Sequence, residues 1–272
     1  PISSMTSKVK QIARQIFQIV APSRYASFHA ARSRRFSESY EKSCGCDELT
    51  EECIEIFGSA TVQAGPFKGL EFPSDTHHRH LAPKLLGSYE HIIHSEIEDF
   101  ASSSYQQILD VGSAEGYYAV GLARLHPDTQ VVAFDTDWWA RDVTRKSAAL
   151  NGSPNVEVVG ACTPTWLNKN LRTPALIVLD CEGYEFTLAN PDVVDFSKCD
   201  LLIEVHPNQA SNQETDIASR FQDTHDIDII DWKSPVPDMW ASHLPKARRR
   251  QAVCEYRTDA NDQYWLVANR QR

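Results

Sequence analysis

The sequence lacks three features that would each indicate a definite class of protein. It contains no apolar run near the roughly 18 residues that a membrane-spanning helix needs. It has no excess of basic residues, since the formal net charge is −10, which argues against general affinity for nucleic acid. Its seven cysteines are odd in number and follow no regular spacing, so a disulfide framework is not indicated. We therefore expect a cytoplasmic protein with reduced thiols and no membrane span.

The sequence pattern changes near residue 80, which predicts a boundary between an N-terminal segment and the main domain. In residues 1–80, Val9, Ile12 and Ile16 recur at helical spacing, which predicts a helical N-terminal extension or cap. We expect this extension to pack on the main domain, or on a second copy of the chain in a homo-oligomer. The alternative is a helix that binds a membrane surface. Residues 81–272 form the main domain.

From residue 105 onward, short apolar runs alternate with helical patterns. Strands are predicted at residues 107–111, 130–135, 156–160, 175–180, 200–206, 226–232 and 263–268. Helices are predicted at residues 81–101, 117–126, 139–151, 166–170, 184–188 and 212–224. This alternation indicates an α/β fold with a doubly wound, mainly parallel seven-stranded sheet. No crossover helix is recognised in residues 233–262, which predicts that the last two strands form an antiparallel pair at one edge.

The stretch ILDVGSAEGYYAVGL at residues 108–122 contains the most informative motif. An apolar strand meets Gly112 and Gly116 and continues directly into a helical pattern, which is how α/β sheets present backbone N–H groups to a ligand. Ala114 takes the place of the second glycine of G-x-G-x-x-G, the residue that lets a pyrophosphate approach, so dinucleotide binding is disfavoured. A cofactor with a small carboxylate and ammonium end, such as S-adenosylmethionine, fits better.

The carboxyl ends of the first strands form the predicted cofactor site. Asp135 follows Gly112 by 23 positions, where an acid accepts hydrogen bonds from the ribose hydroxyls. The small side chains after the third strand admit an adenine, and the segment around Tyr89 covers the methionine end. The predicted cofactor-binding residues are Tyr89, Glu90, Asp110, Gly112, Ser113, Ala114, Glu115, Gly116, Tyr117, Asp135, Thr136, Gly160, Ala161, Cys162 and Asp180.

Acids and a histidine follow strands four and five. Asp180 and Glu182 end strand four, while Glu204 and His206 lie two apart on strand five and so face the same side. A histidine with a near-neutral pKa, oriented by a carboxylate, can remove a hydroxyl proton. The same four residues can instead bind a divalent cation such as Mg²⁺, or only hold the local turns. His225 is a further catalytic candidate, although a helix dipole explains it equally well.

The motifs LDVGSAEGYYAVGLA, AFDTD, LDCEGYE and LLIEVHP, in this order, resemble FkbM-type S-adenosylmethionine-dependent methyltransferases over residues 105–207. The resemblance implies a seven-stranded methyltransferase fold and O-methylation of a hydroxyl on a sugar, polyketide or similar metabolite. It also implies that Gly112 and Gly116 hold the methionine portion, that Asp135 holds the ribose, and that Asp180 lies beside the transferred methyl. Cys181 departs mildly from the family, which more often has an aliphatic residue there.

Two other functions stay open from the sequence. A nicotinamide-dependent dehydrogenase is the first, although Ala114 disfavours it. The second is a non-catalytic module that keeps the cofactor-binding fold and binds a partner through the N-terminal helix. The main expectation remains a small-molecule, hydroxylated acceptor, with no role for nucleic acid.

Overall fold

The computed structural model describes residues 46–74, 76, 81–207, 216–231 and 263–271. The predicted N-terminal helix and residues 233–262 lie outside these ranges. The strands are β1 (Gln107–Val111), β2 (Gln130–Phe134), β3 (Val156–Val159), β4 (Ala175–Leu179), β5 (Cys199–Val205), β6 (His225–Asp231) and β7 (Tyr264–Arg270). The α-helices are α1 (Cys46–Phe57), α2 (Leu81–Leu86), α3 (His94–Ala101), α4 (Tyr117–Leu125), α5 (Trp138–Leu150), α6 (Pro164–Asn170) and α7 (Glu185–Leu188).

All seven strands belong to one sheet with the order β3-β2-β1-β4-β5-β7-β6. The pairs from β3 through β5 are parallel, whereas β7 runs antiparallel to both β5 and β6. The predicted doubly wound, mainly parallel sheet with a closing antiparallel pair is therefore confirmed. No helix in the described ranges is long and apolar enough to span a bilayer.

The central strands are buried because helices cover both faces of the sheet. Every residue of β1 and β4 is buried, as expected for apolar runs in a parallel sheet. Alternate residues face opposite sides, so Ile108 lies in one hydrophobic core and Leu109 in the other. Leu49 and Phe67 pack in the same core as Ile108, so the described part of the N-terminal segment shares a core with the sheet. A domain division at residue 80 stays a prediction.

The single helix predicted over residues 81–101 is wrong, since α2 ends at Leu86 and α3 begins at His94. Gly87 has a φ of +80°, and a Cβ on it would lie 2.1 Å from the carbonyl oxygen of Ala64. Glu90 is also left-handed, with a φ of +49°. These residues turn the chain between the two helices, where His91–Ile93 forms a 3₁₀ helix.

The helix predicted over residues 212–224 is not found where the chain is described. Residues 208–215 lie outside the described ranges, and Ala218–Arg220 forms a 3₁₀ helix that leads through a turn into β6. Asp216 explains part of this geometry, because its side chain accepts a hydrogen bond from the backbone N–H of Ser219. This bond has the geometry of an N-cap, so the short helix begins after Asp216.

Candidate cofactor and acceptor site

The glycine turn after β1 lies against the end of β4. Gly112 has a φ of +97°, and a Cβ on it would lie 1.7 Å from the backbone carbonyl oxygen of Asp180. Gly116 is also left-handed, with a φ of +89°, and leads directly into α4. Only glycine allows this backbone contact, so the turn and the residues that follow β4 form one continuous surface.

Asp135, which follows β2, holds the turn through its carboxylate. Its Oδ2 accepts a hydrogen bond of 3.0 Å from the backbone N–H of Ala114, and its Oδ1 accepts one of 2.8 Å from that of Asp137. Thr144 of α5 donates a hydrogen bond to the Ala114 carbonyl oxygen and lies 3.4 Å from the Ser113 hydroxyl. Burial raises the pKa of Asp135 to about 6. Each carboxylate oxygen has two lone pairs, so the Asp135 carboxylate can also accept hydrogen bonds from a pair of ribose hydroxyls.

The carboxyl end of β3 borders open space. A Cβ on Gly160 would meet no described atom within 4 Å, and Ala161 is exposed. Cys162 is buried next to them, and burial raises the pKa of its thiol to about 12. Thr136, directly after Asp135, is half-buried. A flat aromatic group can therefore approach the backbone here, which fits the predicted adenine recess.

The segment before β1 contacts the glycine turn through a buried ion pair. Lys84 of α2 pairs with Glu115 of the turn, and both side chains are buried. The Nζ atom of Lys84 lies 4.3 Å from the centroid of the Tyr89 ring. Tyr89 packs edge-on against Tyr117, with their ring centroids 5.3 Å apart. The structure thus places Tyr89 next to the turn, and its role in covering the methionine end of a cofactor stays a prediction. Lys84 was missed by sequence reasoning, although a lysine within the apolar LAPKLL was a signal.

Glu90 and Asp110 are both buried against α4. The hydroxyl of Tyr118 donates a hydrogen bond to Glu90. The Asp110 carboxyl accepts a hydrogen bond from the backbone N–H of Ala119, while its Oδ2 atom has no hydrogen-bond partner among the described residues. Burial outweighs that hydrogen bond and raises the pKa of Asp110 to about 8. Asp110 therefore contacts the first turn of α4 through the backbone of Ala119.

The ends of β4 and β5 bring the four predicted reaction-site residues together. The Nε2 atom of His206 lies 3.8 Å from Asp180 Oδ1, 3.9 Å from Glu182 Oε2 and 3.7 Å from Glu204 Oε2. The side chains of His206 and Glu204 are only 2% exposed, whereas that of Asp180 is 26% exposed and that of Glu182 58%. The cluster is thus closed on the β5 side and open on the β4 side.

Glu185, the first residue of α7, orients this cluster. Its Oε1 accepts hydrogen bonds from the backbone N–H of His206 at 2.8 Å and from His206 Nδ1 at 3.2 Å. Its Oε2 accepts one from the backbone N–H of Gly183 at 2.8 Å. Sequence reasoning missed this role, although Glu185 is the last residue of the DCEGYE motif.

The pKa of His206 differs from the near-neutral value expected from the sequence. Burial lowers it, but the hydrogen bond to Glu185 and the charges of Asp180 and Glu182 outweigh burial and raise the pKa to about 9. The imidazole is therefore protonated at pH 7 when no other cation is present.

His225 does not belong to this site. It is the first residue of β6, and its Nε2 atom lies 2.9 Å from the carbonyl oxygen of Cys199, the first residue of β5. His206 follows the other end of β5, about 20 Å away along seven residues of strand. The hydroxyl of Thr224 lies 2.8 Å from Nδ1 of His225. The catalytic role expected for His225 is wrong, because the histidine lies at the opposite edge of the sheet.

A separate hollow lies between α5 and the amino end of β3. It is lined by Arg145, Ala148, Ala149, Gly152, Ser153, Pro154 and Val156. This lining is mostly apolar, and its position is on the amino edge of the sheet, away from the glycine turn. Ligands of open α/β sheets bind at the carboxyl ends of the strands, so the hollow is not the candidate site.

No protein-family model matches the chain, and no curated protein matches it. Solved structures that resemble it include an O-methyltransferase from Bacillus cereus in complex with SAH, at 12% identity over 82% of this chain and 91% of that chain, with a TM-score of 0.43. The O-methyltransferase TomG from Streptomyces achromogenes, involved in tomaymycin synthesis, was solved in complex with SAM (14% identity, 61% and 74%, TM-score 0.40). An rRNA methylase from Streptococcus thermophilus is also similar (13% identity, 66% and 96%, TM-score 0.41).

At these TM-scores the similarities carry no argument, and the fold is assigned from the strand order. The strand order, with β7 antiparallel between β5 and β6, is that of the seven-stranded class I methyltransferase fold. The fold implied by the sequence resemblance is confirmed.

Proposed function

We propose that this chain is an S-adenosylmethionine-dependent methyltransferase of the FkbM type, which methylates a hydroxyl oxygen of a small molecule or sugar-containing metabolite. One observation carries the proposal: Gly112 packs directly on the backbone of Asp180. A cofactor bound along the glycine turn therefore has the acid–imidazole cluster beside its reactive end.

The described residues suit each part of this cofactor. Asp135 has acceptor capacity for the ribose hydroxyls, and the open space at Gly160 suits the adenine. The turn and the first residues of α4 offer backbone groups to the methionine portion. Tyr89 and Glu90 pack against Tyr117 and Tyr118 of α4, where they would border that portion.

S-adenosylmethionine, when bound, supplies a methyl group on a sulfonium, whose carbon–sulfur bond breaks with the electron pair remaining on sulfur. The protein must align the acceptor oxygen in line with that bond and accept its proton. Because the raised pKa of His206 keeps its ring protonated, we assign the proton to a carboxylate on the open side of the cluster, Asp180 or Glu182. His206 and Glu185 hold these acids in position.

The test combines binding with turnover. We expect calorimetry to detect S-adenosylhomocysteine binding, and we expect transfer of labelled methyl groups to members of a panel of hydroxylated metabolites. Asp180→Asn should lower turnover at least about tenfold, since positioned acid–base groups contribute 10²–10⁴-fold, with little change in S-adenosylhomocysteine affinity. The exposed Asp192→Asn is the matched control.

Two results would reject the proposal, and a third would remove only the role of Asp180. Binding of a nicotinamide dinucleotide in place of S-adenosylhomocysteine would indicate the dehydrogenase. Cofactor binding without transfer to any acceptor of the panel would indicate the partner-binding module. Equal turnover in Asp180→Asn and Asp192→Asn would remove Asp180 from the chemistry.

A further inference from the structure

We propose that Asp180, Glu204 and His206 bind one divalent cation of the Mn²⁺ or Mg²⁺ class, an inference whose catalytic role rests on the proposed function. One donor atom from each residue lies within 4.8 Å of the other two. The separations of 3.7 and 3.8 Å between Nε2 and the carboxylate oxygens are too long for hydrogen bonds. They fit ligands that share an ion, since bonds of about 2.1 Å allow two donor atoms to lie up to about 4.2 Å apart.

The imidazole of His206 supports a cation site independently of the acids. Its side chain is 2% exposed, and within the described part of the chain its Nε2 atom is not hydrogen-bonded but faces the carboxylates. Its Nδ1 atom donates to Glu185, which is fully buried and also accepts from the His206 backbone. Metal-binding histidines almost always donate their other ring N–H to a carboxylate or carbonyl, which fixes the tautomer and aims the free nitrogen.

The donor set selects the class of ion. The two carboxylates suit Mn²⁺ or Mg²⁺, whereas Ca²⁺ prefers six to eight oxygen ligands and structural Zn²⁺ sites are closed by four ligands, mostly cysteine and histidine. Such an ion keeps open positions for the acceptor oxygen and lowers the pKa of its hydroxyl. Glu182, whose side chain is 58% exposed, then remains at the open side to accept the proton.

The experiment is a titration of the chelator-treated full chain with Mn²⁺, followed by the electron paramagnetic resonance signal of free Mn²⁺. We expect one site per chain, for which Mg²⁺ competes. Glu204→Gln and His206→Gln should each weaken Mn²⁺ binding at least tenfold, and Glu185→Gln should weaken it by 10–100-fold, which is the usual effect of removing a supporting carboxylate. Glu157→Gln, at an exposed acid of β3, should leave Mn²⁺ affinity unchanged.

Circular dichroism establishes that each variant folds. If the buried variants unfold, Asp180→Asn, at the more exposed ligand, provides the same test. No Mn²⁺ site in the wild-type chain, or wild-type affinity in a folded Asp180→Asn, would overturn the proposal.

The two proposals fail in distinguishable ways. If S-adenosylhomocysteine binds and methyl transfer is indifferent to chelator and to added Mg²⁺, the ion has no catalytic role while the proposed function stands. If Mn²⁺ binds at these residues but S-adenosylhomocysteine does not, the ion site stands and the proposed function fails.

Discussion

Acids with different surroundings define the candidate site at the scale of single residues. Asp135 accepts two backbone hydrogen bonds, Asp110 has an oxygen atom with no partner among the described residues, and Glu185 accepts hydrogen bonds at both oxygens. Burial favours the neutral form of a carboxyl group, whereas hydrogen bonds to the carboxylate favour the charged form. Asp135 and Asp110 should therefore respond differently to pH, and all three residues should respond differently to substitution.

Asp135→Ala should weaken S-adenosylhomocysteine binding more than tenfold, because the ribose hydroxyls lose their acceptor. Burial raises the pKa of Asp135 to about 6, so lowering the pH from 7 to 5 protonates the carboxylate and should weaken binding in the wild-type chain. Calorimetric titrations at pH 5, 6, 7 and 8 measure both effects. If the affinity of the wild-type chain for S-adenosylhomocysteine does not change between pH 5 and pH 8, Asp135 does not belong to the cofactor site.

Asp110→Asn should stabilise the protein at high pH. The folded pKa of about 8 lies above the ordinary value of 3.8, so the folded state holds the proton more tightly than the unfolded state. The resulting stability is complete at about pH 4 and is lost as the pH rises through 8.

The asparagine variant keeps a neutral side chain at every pH. At pH 9 its free energy of unfolding should exceed that of the wild type by at least about 2 kcal/mol. Urea unfolding at pH 5 and pH 9 measures the difference. Parallel pH dependence in the two proteins would contradict the raised pKa.

At the scale of elements, local pattern predicted the strands well and the irregular helices poorly. The strand predictions agree with β1 to β7 to within two residues at each end, because a buried parallel strand is a continuous apolar run. The break between α2 and α3 depends on the packing of Gly87 against Ala64, a contact between distant residues that periodicity does not contain. Likewise, the position of Glu185 under His206 depends on how α7 packs beside β5.

Gly112→Ala tests the contact between the glycine turn and β4. The new Cβ would lie 1.7 Å from the Asp180 carbonyl oxygen at a φ of +97°, so the turn must move. We expect a loss of stability above about 3 kcal/mol, together with loss of S-adenosylhomocysteine binding.

The matched control for this substitution is Gly152→Ala. Gly152 has a φ of +62°, and a Cβ on it would meet nothing within 4 Å. Gly152→Ala should therefore lower the free energy of unfolding only by the cost of a left-handed alanine, about 1–2 kcal/mol. It should leave cofactor binding unchanged. Similar thermal melting and cofactor titration curves for the two variants would show that the close contact is not required.

At the scale of the whole molecule, the parallel sheet has two edges with different roles. The carboxyl edge brings together the glycine turn, Asp135, Asp180 and His206. The amino edge contains buried polar groups that join strands, such as Asp200, which accepts hydrogen bonds from Tyr105 and from the backbone of Arg270. Substitutions at the two edges should affect different properties.

His225 and His206 provide a matched pair for this comparison, since each is 2% exposed. His225→Ala removes the hydrogen bond to the Cys199 carbonyl oxygen and should lower the free energy of unfolding by about 1–3 kcal/mol, with unchanged S-adenosylhomocysteine binding and turnover. His206→Ala should lower turnover at nearly unchanged cofactor binding. Thermal melting, calorimetry and methyl transfer of both variants test this, and a turnover defect in folded His225→Ala would contradict the assignment of the edges.

The sequence by itself determined the fold class, the glycine turn and the acids and histidine that follow strands four and five. The fold class follows from apolar periodicity. The glycine turn and the charged residues follow from residue types that can be read directly in the sequence. Only the tertiary structure decided which of these residues meet. It brought Asp180 against Gly112, supported His206 with Glu185, and separated His225 from both. The physical reason is that strand order and helix packing join residues that are distant in the chain, and no local pattern contains that information.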